Sequence, residues 1–239
     1  MVSSSTVIRF YPREKYDGTT LFYEGIRSRI RREFSVLDLG CGIGSEHCAR
    51  IRRGDAARVV GVDVDEAARQ NGRLDEVVLY DGQRLPFENA SFDIVFADYV
   101  MEHIDDPTSL LLEVKRVLRD GGSFHFRTPN RWHYVAVVAA VVPDRLHEAI
   151  ANRSRAIHAK ENKVFPTRYR FNTRRAIARA TRAAGFDSTK LDLRWVECEP
   201  SYLVFSWPTF LGGLLYERLV NSTDKRQRLR SDIFGVLQV

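Results

Sequence analysis

No stretch of this chain is apolar for long enough to span a bilayer. The longest uninterrupted run, Tyr134 to Val142, covers nine residues and ends at Pro143, far short of the roughly 20 a transmembrane helix needs. Cysteine is scarce. Cys41, Cys48 and Cys198 form no CxxC pair and leave an odd count, which argues against a disulfide framework and a zinc knuckle and points to a reducing cytoplasm. The opening residues Met1 to Thr6 are Ser-rich and lead into Arg9 with no apolar segment or cleavage site, so export is not expected. Internal repeats and low-complexity linkers are absent. Charge of one sign is only modestly in excess: 37 Lys and Arg against 31 Asp and Glu leave +6, which suits phosphates, anionic lipids, acidic substrates or plain solubility and selects none of them.

What is present is an ordinary globular composition, 239 residues of which 44% are hydrophobic. One domain over residues 1–239 is the simplest expectation, with a core large enough to need neither disulfides nor a structural metal. Short apolar runs recur at Ser35 to Leu39, Arg58 to Val62, Glu76 to Tyr80, Phe92 to Ala97 and Ser123 to Arg127, separated mostly by helix-like segments. That alternation predicts an α/β fold, a parallel sheet with helices on both faces. A helix is expected over Pro107 to Arg119, capped by Asp106, with Leu110, Leu111, Val114, Val117 and Leu118 as its apolar stripe. A second follows Asn172 or Thr173 and stops at Gly185. Strands are expected over Thr189 to Val196 and Tyr202 to Phe205. Between Pro129 and Arg170 the alternation lapses, which reads as an insertion over 131–170 serving as a substrate lid.

The segment VLDLGCGIG at 36–44 puts Gly40, Gly42 and Gly44 between a buried strand and a helix start. Glycines there permit positive φ and close approach of a ligand to the backbone. A tight connection with no ligand is the bland alternative, and two further features count against it. Asp63 ends the next strand, 19 residues after Gly44, where a carboxylate can accept from both hydroxyls of a ribose. Asp81 and Gly82 follow the third strand, at the rim of a bound adenine. A dinucleotide would call for GxGxxG and a pyrophosphate-binding helix N-terminus. Here the third glycine comes one position early, and Asp38 and Glu46 flank the loop, which suits a ligand with an amino group and a sulfonium.

These motifs, with GVDVD at 61–65, DGQRLPF at 81–87, FDIVFADYVMEHIDDP at 92–107 and LLEVKRVLRDGGSFHFRTPN at 111–130, resemble those of class I S-adenosylmethionine-dependent methyltransferases, in particular the small-molecule branch called type 11. The resemblance is close over residues 30–130, the cofactor-binding half. It implies a Rossmann-like sheet of seven strands, the last antiparallel, with residues 171–239 supplying the final helix and strands six and seven. It also implies S-adenosyl-L-methionine as cofactor: Gly40, Gly42 and Gly44 around its methionine part, Asp38 toward the amino group, Asp63 on the ribose, Val64, Asp81 and Gly82 on the adenine, and Asp98 and Tyr99 as the floor beneath the sulfonium.

Methyl transfer needs positioning and desolvation, and a general base only where the acceptor must lose a proton. His103, just after the fourth strand, is the candidate base, the alternative being a loop-bonded histidine that shapes the pocket. Adjacent Glu102 and His103 point about 100° apart on a helix and cannot chelate efficiently, so no metal is expected. The expected activity is methylation of a small-molecule or lipid- or saccharide-linked acceptor, first at oxygen, in the cytoplasm. An RNA methyltransferase is the rival, resting on Arg174, Arg175, Arg179 and Arg182 and on the basic run Lys225 to Arg230. It is disfavoured because Ala97 to Val100 lacks the Asn/Asp-Pro-Pro-aromatic motif of nucleic-acid amino-methylating enzymes. A catalytically silent cofactor-binding scaffold is the third reading. Apolar Trp132 to Val142 and aromatic Tyr202 to Tyr216, with Arg145, Arg153 and Arg155 nearby, suggest an acceptor pocket or contact with an anionic membrane surface. The pocket roof is expected from Phe10, Tyr11 and Tyr16 together with the insertion, where His158 and Arg168 are positioned to reach the acceptor. Oligomeric state is not legible.

Overall fold

The structure is a computed structural model that describes residues 2, 4–11, 17–44, 51, 55–134, 165–197, 203 and 206–239. Seven strands form one sheet: β1 (Ser35–Leu39), β2 (Arg58–Asp63), β3 (Glu76–Leu79), β4 (Phe92–Asp98), β5 (Leu118–Pro129), β6 (Leu191–Val196) and β7 (Asp232–Gln238), in the order β3-β2-β1-β4-β5-β7-β6. β7 runs antiparallel to both neighbours, and the β3-β2-β1-β4-β5 pairings are parallel.

Consecutive residues of the central strands are buried on opposite faces, which is why these strands read as unbroken apolar runs. Leu37, Val60 and Val95 belong to one core, and Val36, Val59 and Ile94 to the other. Leu110, Leu111, Val114 and Val117 of α3 (Pro107–Val117), with Ile177 and Ala180 of α4 (Arg174–Ala183), cover the first face. The second is covered by Phe22, Tyr23 and Ile26 of α2 (Gly18–Arg27). A smaller cluster joins Val7 of α1 (Ser4–Phe10) and Tyr11 to Phe210 and Leu214 of α5 (Trp207–Asn221). α3 begins as its sequence predicts, with Asp106 accepting from the amides of Thr108 and Ser109. It stops at Val117 because Leu118 already pairs with Phe92 in the sheet.

Two strands depart most from expectation. β5 is much longer than Ser123 to Arg127, because its ends pair with both β4 and β7. The last strand is Asp232–Gln238, where Tyr202 to Phe205 was expected. Of the latter segment only Leu203 is described, in a 3₁₀ turn. Gly235 makes this strand possible: it stands opposite Phe126, and a Cβ there would overlap the buried Phe126 ring. The chain runs outward from β1 to β3, then returns to β4 on the other side of β1. Ligand crevices in open α/β sheets lie at such a reversal, outside the carboxyl ends of the strands.

Candidate functional site

The carboxyl end of β1 opens into the glycine turn. Gly40, Gly42 and Gly44 have φ of 76°, 49° and 78°, the left-handed region that favours glycine. Their surroundings differ. A side chain at Gly40 would strike Val100, and one at Gly44 would strike Asn71, whereas a Cβ at Gly42 would meet nothing within 4 Å. Gly40 and Gly44 answer to the protein's own packing, and Gly42 leaves open space for something outside it. Asn71, itself buried, donates to the carbonyls of Cys41 and Gly42, each at 3.2 Å, and fixes the turn.

Asp63, at the end of β2, is wedged beside this turn. One oxygen accepts from the Gly42 amide and the other from the Asp65 amide, both at 2.8 Å, which sets its carboxylate at the sheet edge. Next along the edge, Val64 is half-exposed, Gly82 lies beside it at φ 82°, and Asp81 accepts from the Gln83 amide. Asp38 lies beneath the turn, only 2% exposed, with one carboxylate oxygen buried and unpartnered. Burial pushes its carboxyl well up, and the negative charges of Asp98 and Asp63 push the same way. Carboxylates this close are unfavourable to one another, and a nearby cation would relieve them.

Asp98 and Tyr99 occupy the end of β4, in a setting the sequence did not disclose. Arg127 of β5 is buried and donates to both oxygens of Asp98, at 2.6 and 2.7 Å, and to Thr19 of α2 at 3.0 Å. Its guanidinium lies 4.3 Å from the centre of the Tyr99 ring. Burial works against that charge, and Tyr99, Asp98 and Asp232 together outweigh it and raise the Arg127 pKa. Tyr99 has φ 55°, strained for an aromatic residue. Its hydroxyl donates to Asp232 at 2.7 Å and its amide to the Arg127 carbonyl at 3.0 Å. The sequence signal for Arg127 was a charge next to Phe124 and Phe126 in a strand, since arginine is almost never buried unless paired.

Beyond Tyr99 a short 3₁₀ turn, Met101–His103, carries Glu102 inward and His103 outward. Glu102 is 4% exposed. It accepts from the Thr128 hydroxyl at 3.2 Å, and Thr128 accepts in turn from the Asn172 amide at 2.8 Å. Burial, against the pull of its hydrogen bonds and with a push from Asp98 and Asp232, raises Glu102 to about 8. His103 Nδ1 lies 3.2 Å from the Pro166 carbonyl. A carbonyl only accepts, so this contact requires the proton on Nδ1 and leaves the Nε2 lone pair available. Nε2 is 4.0 Å from Glu102 Oε1. Among the described residues no group of three or more His, Cys, Asp or Glu is arranged to hold a metal ion.

Other expected residues fall elsewhere. Arg175, Arg179 and Arg182 form an exposed face of α4, remote in the sheet order from the glycine turn. Arg168 pairs with Asp105 at 3.2 Å. Glu46 and Cys48, Tyr16, His158, and Arg145, Arg153 and Arg155 lie outside the described residues, as does the apolar run beyond Tyr134.

The reversal of strand order, the open space at Gly42 and the acidic edge are the features expected of a class I S-adenosylmethionine-dependent methyltransferase domain. Residues 37–126 match the family described as "Methyltransferase domain", the type 11 branch, and S-adenosylmethionine is the cofactor that family and fold imply. Over 100 residues the chain is 41% identical to a Mycolicibacterium smegmatis protein named "Probable S-adenosylmethionine-dependent methyltransferase/", covering 40% of this chain and 38% of that one. It is 39% identical over 106 residues to the ubiquinone biosynthesis O-methyltransferase of Hahella chejuensis, covering 40% of this chain and 43% of that enzyme. The chain thus spans less than half the length of these relatives. The fold is shared with an S-adenosylmethionine-dependent methyltransferase from Mesorhizobium loti, at a TM-score of 0.58 and 17% identity over 93% of this chain and 99% of that one. The residues present fit the cofactor: Asp38 has a buried oxygen without a hydrogen-bond partner, which a cationic group would answer, and the backbone at Gly42 has open space beside it.

Proposed function

We propose that this chain transfers a methyl group from S-adenosylmethionine to the oxygen of a small-molecule acceptor, free or linked to a lipid or saccharide, in the cytoplasm. The observation that carries this reading is the buried, unpartnered Asp38 oxygen, with Asp98 and Asp63 close enough for their charges to press on it, an electrostatic demand that a sulfonium with an ammonium group answers. Bound cofactor supplies an electrophilic methyl carbon on a good leaving group. The chain's part is to hold and orient: the glycine turn and Asp38 take the methionine end, Asp63 the ribose, and Val64, Asp81 and Gly82 the adenine. Asp98, fixed by Arg127, and Tyr99, fixed by Asp232, form the floor. His103 accepts the acceptor's hydroxyl proton at Nε2, its ring held by the Nδ1 contact to Pro166. Oxygen as the accepting atom is supported by the likeness to the Hahella chejuensis O-methyltransferase.

The test is transfer of isotope-labelled methyl from S-adenosylmethionine into a panel of phenolic, quinol and carboxylic acceptors, and into total RNA in parallel. Label in a hydroxylated small molecule is the expected result. Label in RNA alone would move the protein to the nucleic-acid enzymes. Tight S-adenosylhomocysteine binding with no label in any fraction would favour the silent scaffold.

A further inference from the structure

The helix α5 is apolar on two sides, and the structure covers one of them. Phe210, Gly213, Leu214 and Val220 turn inward, where Phe210 and Leu214 pack against Val7 and Tyr11. Trp207, Leu211, Leu215 and Leu219, four residues apart, turn outward and are 53%, 49%, 68% and 51% exposed. Spacing of four keeps them on one slowly drifting stripe about 18 Å long. Single exposed leucines are ordinary, whereas a continuous stripe on a helix that is also apolar inside calls for a covering medium.

The charge around the stripe is predominantly positive. Among the described residues the outward positions of α5 carry no carboxylate, since Glu217 is buried and accepts from Asn221. Arg218, seven positions from Leu211, lies on the stripe's own side, and exposed Lys225, Arg226 and Arg228 follow at the helix end. Asp224, the acidic residue in that turn, lies 3.5 Å from Arg230. A parallel pairing of two copies of this face would set these cations against each other. Tyr216 on the same helix packs 5.7 Å from the ring of His133, just past the carboxyl end of β5, and Trp132 beside it is 61% exposed. The stripe therefore borders the sheet edge that carries the candidate site.

We propose that the outward face of α5 docks on an anionic lipid bilayer, with Trp207, Leu211, Leu215 and Leu219 in the headgroup and acyl boundary and Arg218, Lys225, Arg226 and Arg228 against lipid phosphates. Docking in this pose brings the carboxyl edge of the sheet close to the membrane. The surface is independent of the methyl-transfer reading and is tested without it.

The experiment is co-sedimentation of the full chain with vesicles of phosphatidylcholine mixed with phosphatidylglycerol, and with vesicles of phosphatidylcholine alone. Leu211→Glu/Leu215→Glu is the control, because both side chains are exposed and leave the inner packing intact; unchanged circular dichroism and melting temperature verify that. Expected are sedimentation with the anionic vesicles, weakened by salt, and a drop in partitioning of about tenfold or more in the double variant. Absence of sedimentation with anionic vesicles, or equal sedimentation of the double variant, would overturn the proposal. So would light scattering that shows a dimer dissolved by the same substitutions, which would give the stripe to a second copy of the chain.

Discussion

Glu102 provides a way to test the buried polar cluster at the end of β4 through stability alone. Its carboxyl, 4% exposed, sits at about 8 in the folded protein against an ordinary value of 4.5. Below 4.5 the group is protonated in both states. As pH rises from there toward 8 the unfolded chain releases the proton while the folded chain keeps it, so the folded state binds more protons and stability falls. At about 1.4 kcal/mol per pH unit the whole interval comes to about 5 kcal/mol, of which on the order of 3 kcal/mol is lost between pH 5 and pH 8. Glutamine has nearly the same shape, can accept from Thr128 and does not titrate. In urea unfolding at a series of pH values, the stability of Glu102→Gln relative to the parent should therefore climb by about 3 kcal/mol from pH 5 to pH 8. His125 sets the opposite limb. Burial holds its imidazole down at about 4, so stability falls as pH drops from 6.5 toward 4, and the substitution at Glu102 should leave that limb in place. Two curves that differ by a constant offset across pH 5 to 8 would refute the reasoning, because they would mean that Glu102 titrates alike in the folded and unfolded chains.

Three further substitutions probe the cluster and the sheet. Arg127→Met removes the cation from a buried pair and strands Asp98, which should cost about 3 to 5 kcal/mol in denaturant unfolding; a loss below 1 kcal/mol would show that water reaches Asp98. Gly235→Ala forces a methyl group into the Phe126 ring and should cost about 1 to 3 kcal/mol by the same assay, whereas an unchanged midpoint would place β7 in a different register. His103→Ala should lower turnover by about 10² or more with S-adenosylhomocysteine affinity unchanged, and a loss under threefold would reduce His103 to a pocket wall.

The sheet was legible because its inner strands are buried on both faces, so VLDL at 36–39 and VVGV at 59–62 stand out as apolar runs bounded by polar turns. The glycine turn, Asp63 and Asp81 stood out as candidates because each follows or ends such a run, and Asp38 because it is a charge inside one. The last strand was missed for the opposite reason. DIFGVLQ at 232–238 follows a stretch rich in basic residues and contains a glycine, ordinarily a strand breaker, whose purpose appears only when Phe126 is seen opposite it. The setting of Asp98 was hidden because Arg127 and Asp232 are 29 and 134 residues away and meet it only through strand order. A charged residue in FHFRTP says that a partner exists, not which one. Sequence spacing likewise set Glu102 and His103 apart in direction, and the structure adds that one points into the protein and the other toward Pro166.

The central claim, that the acidic glycine-turn edge is an S-adenosylmethionine site, is tested most directly by calorimetric titration with S-adenosylhomocysteine, with NADH in parallel and Asp63→Ala as control. The account predicts saturable binding of the thioether nucleoside alone, weakened by about 1.5 to 3 kcal/mol in the variant, the range for hydrogen bonds to a charged group. Binding of NADH alone, or S-adenosylhomocysteine affinity indifferent to Asp63, would contradict it.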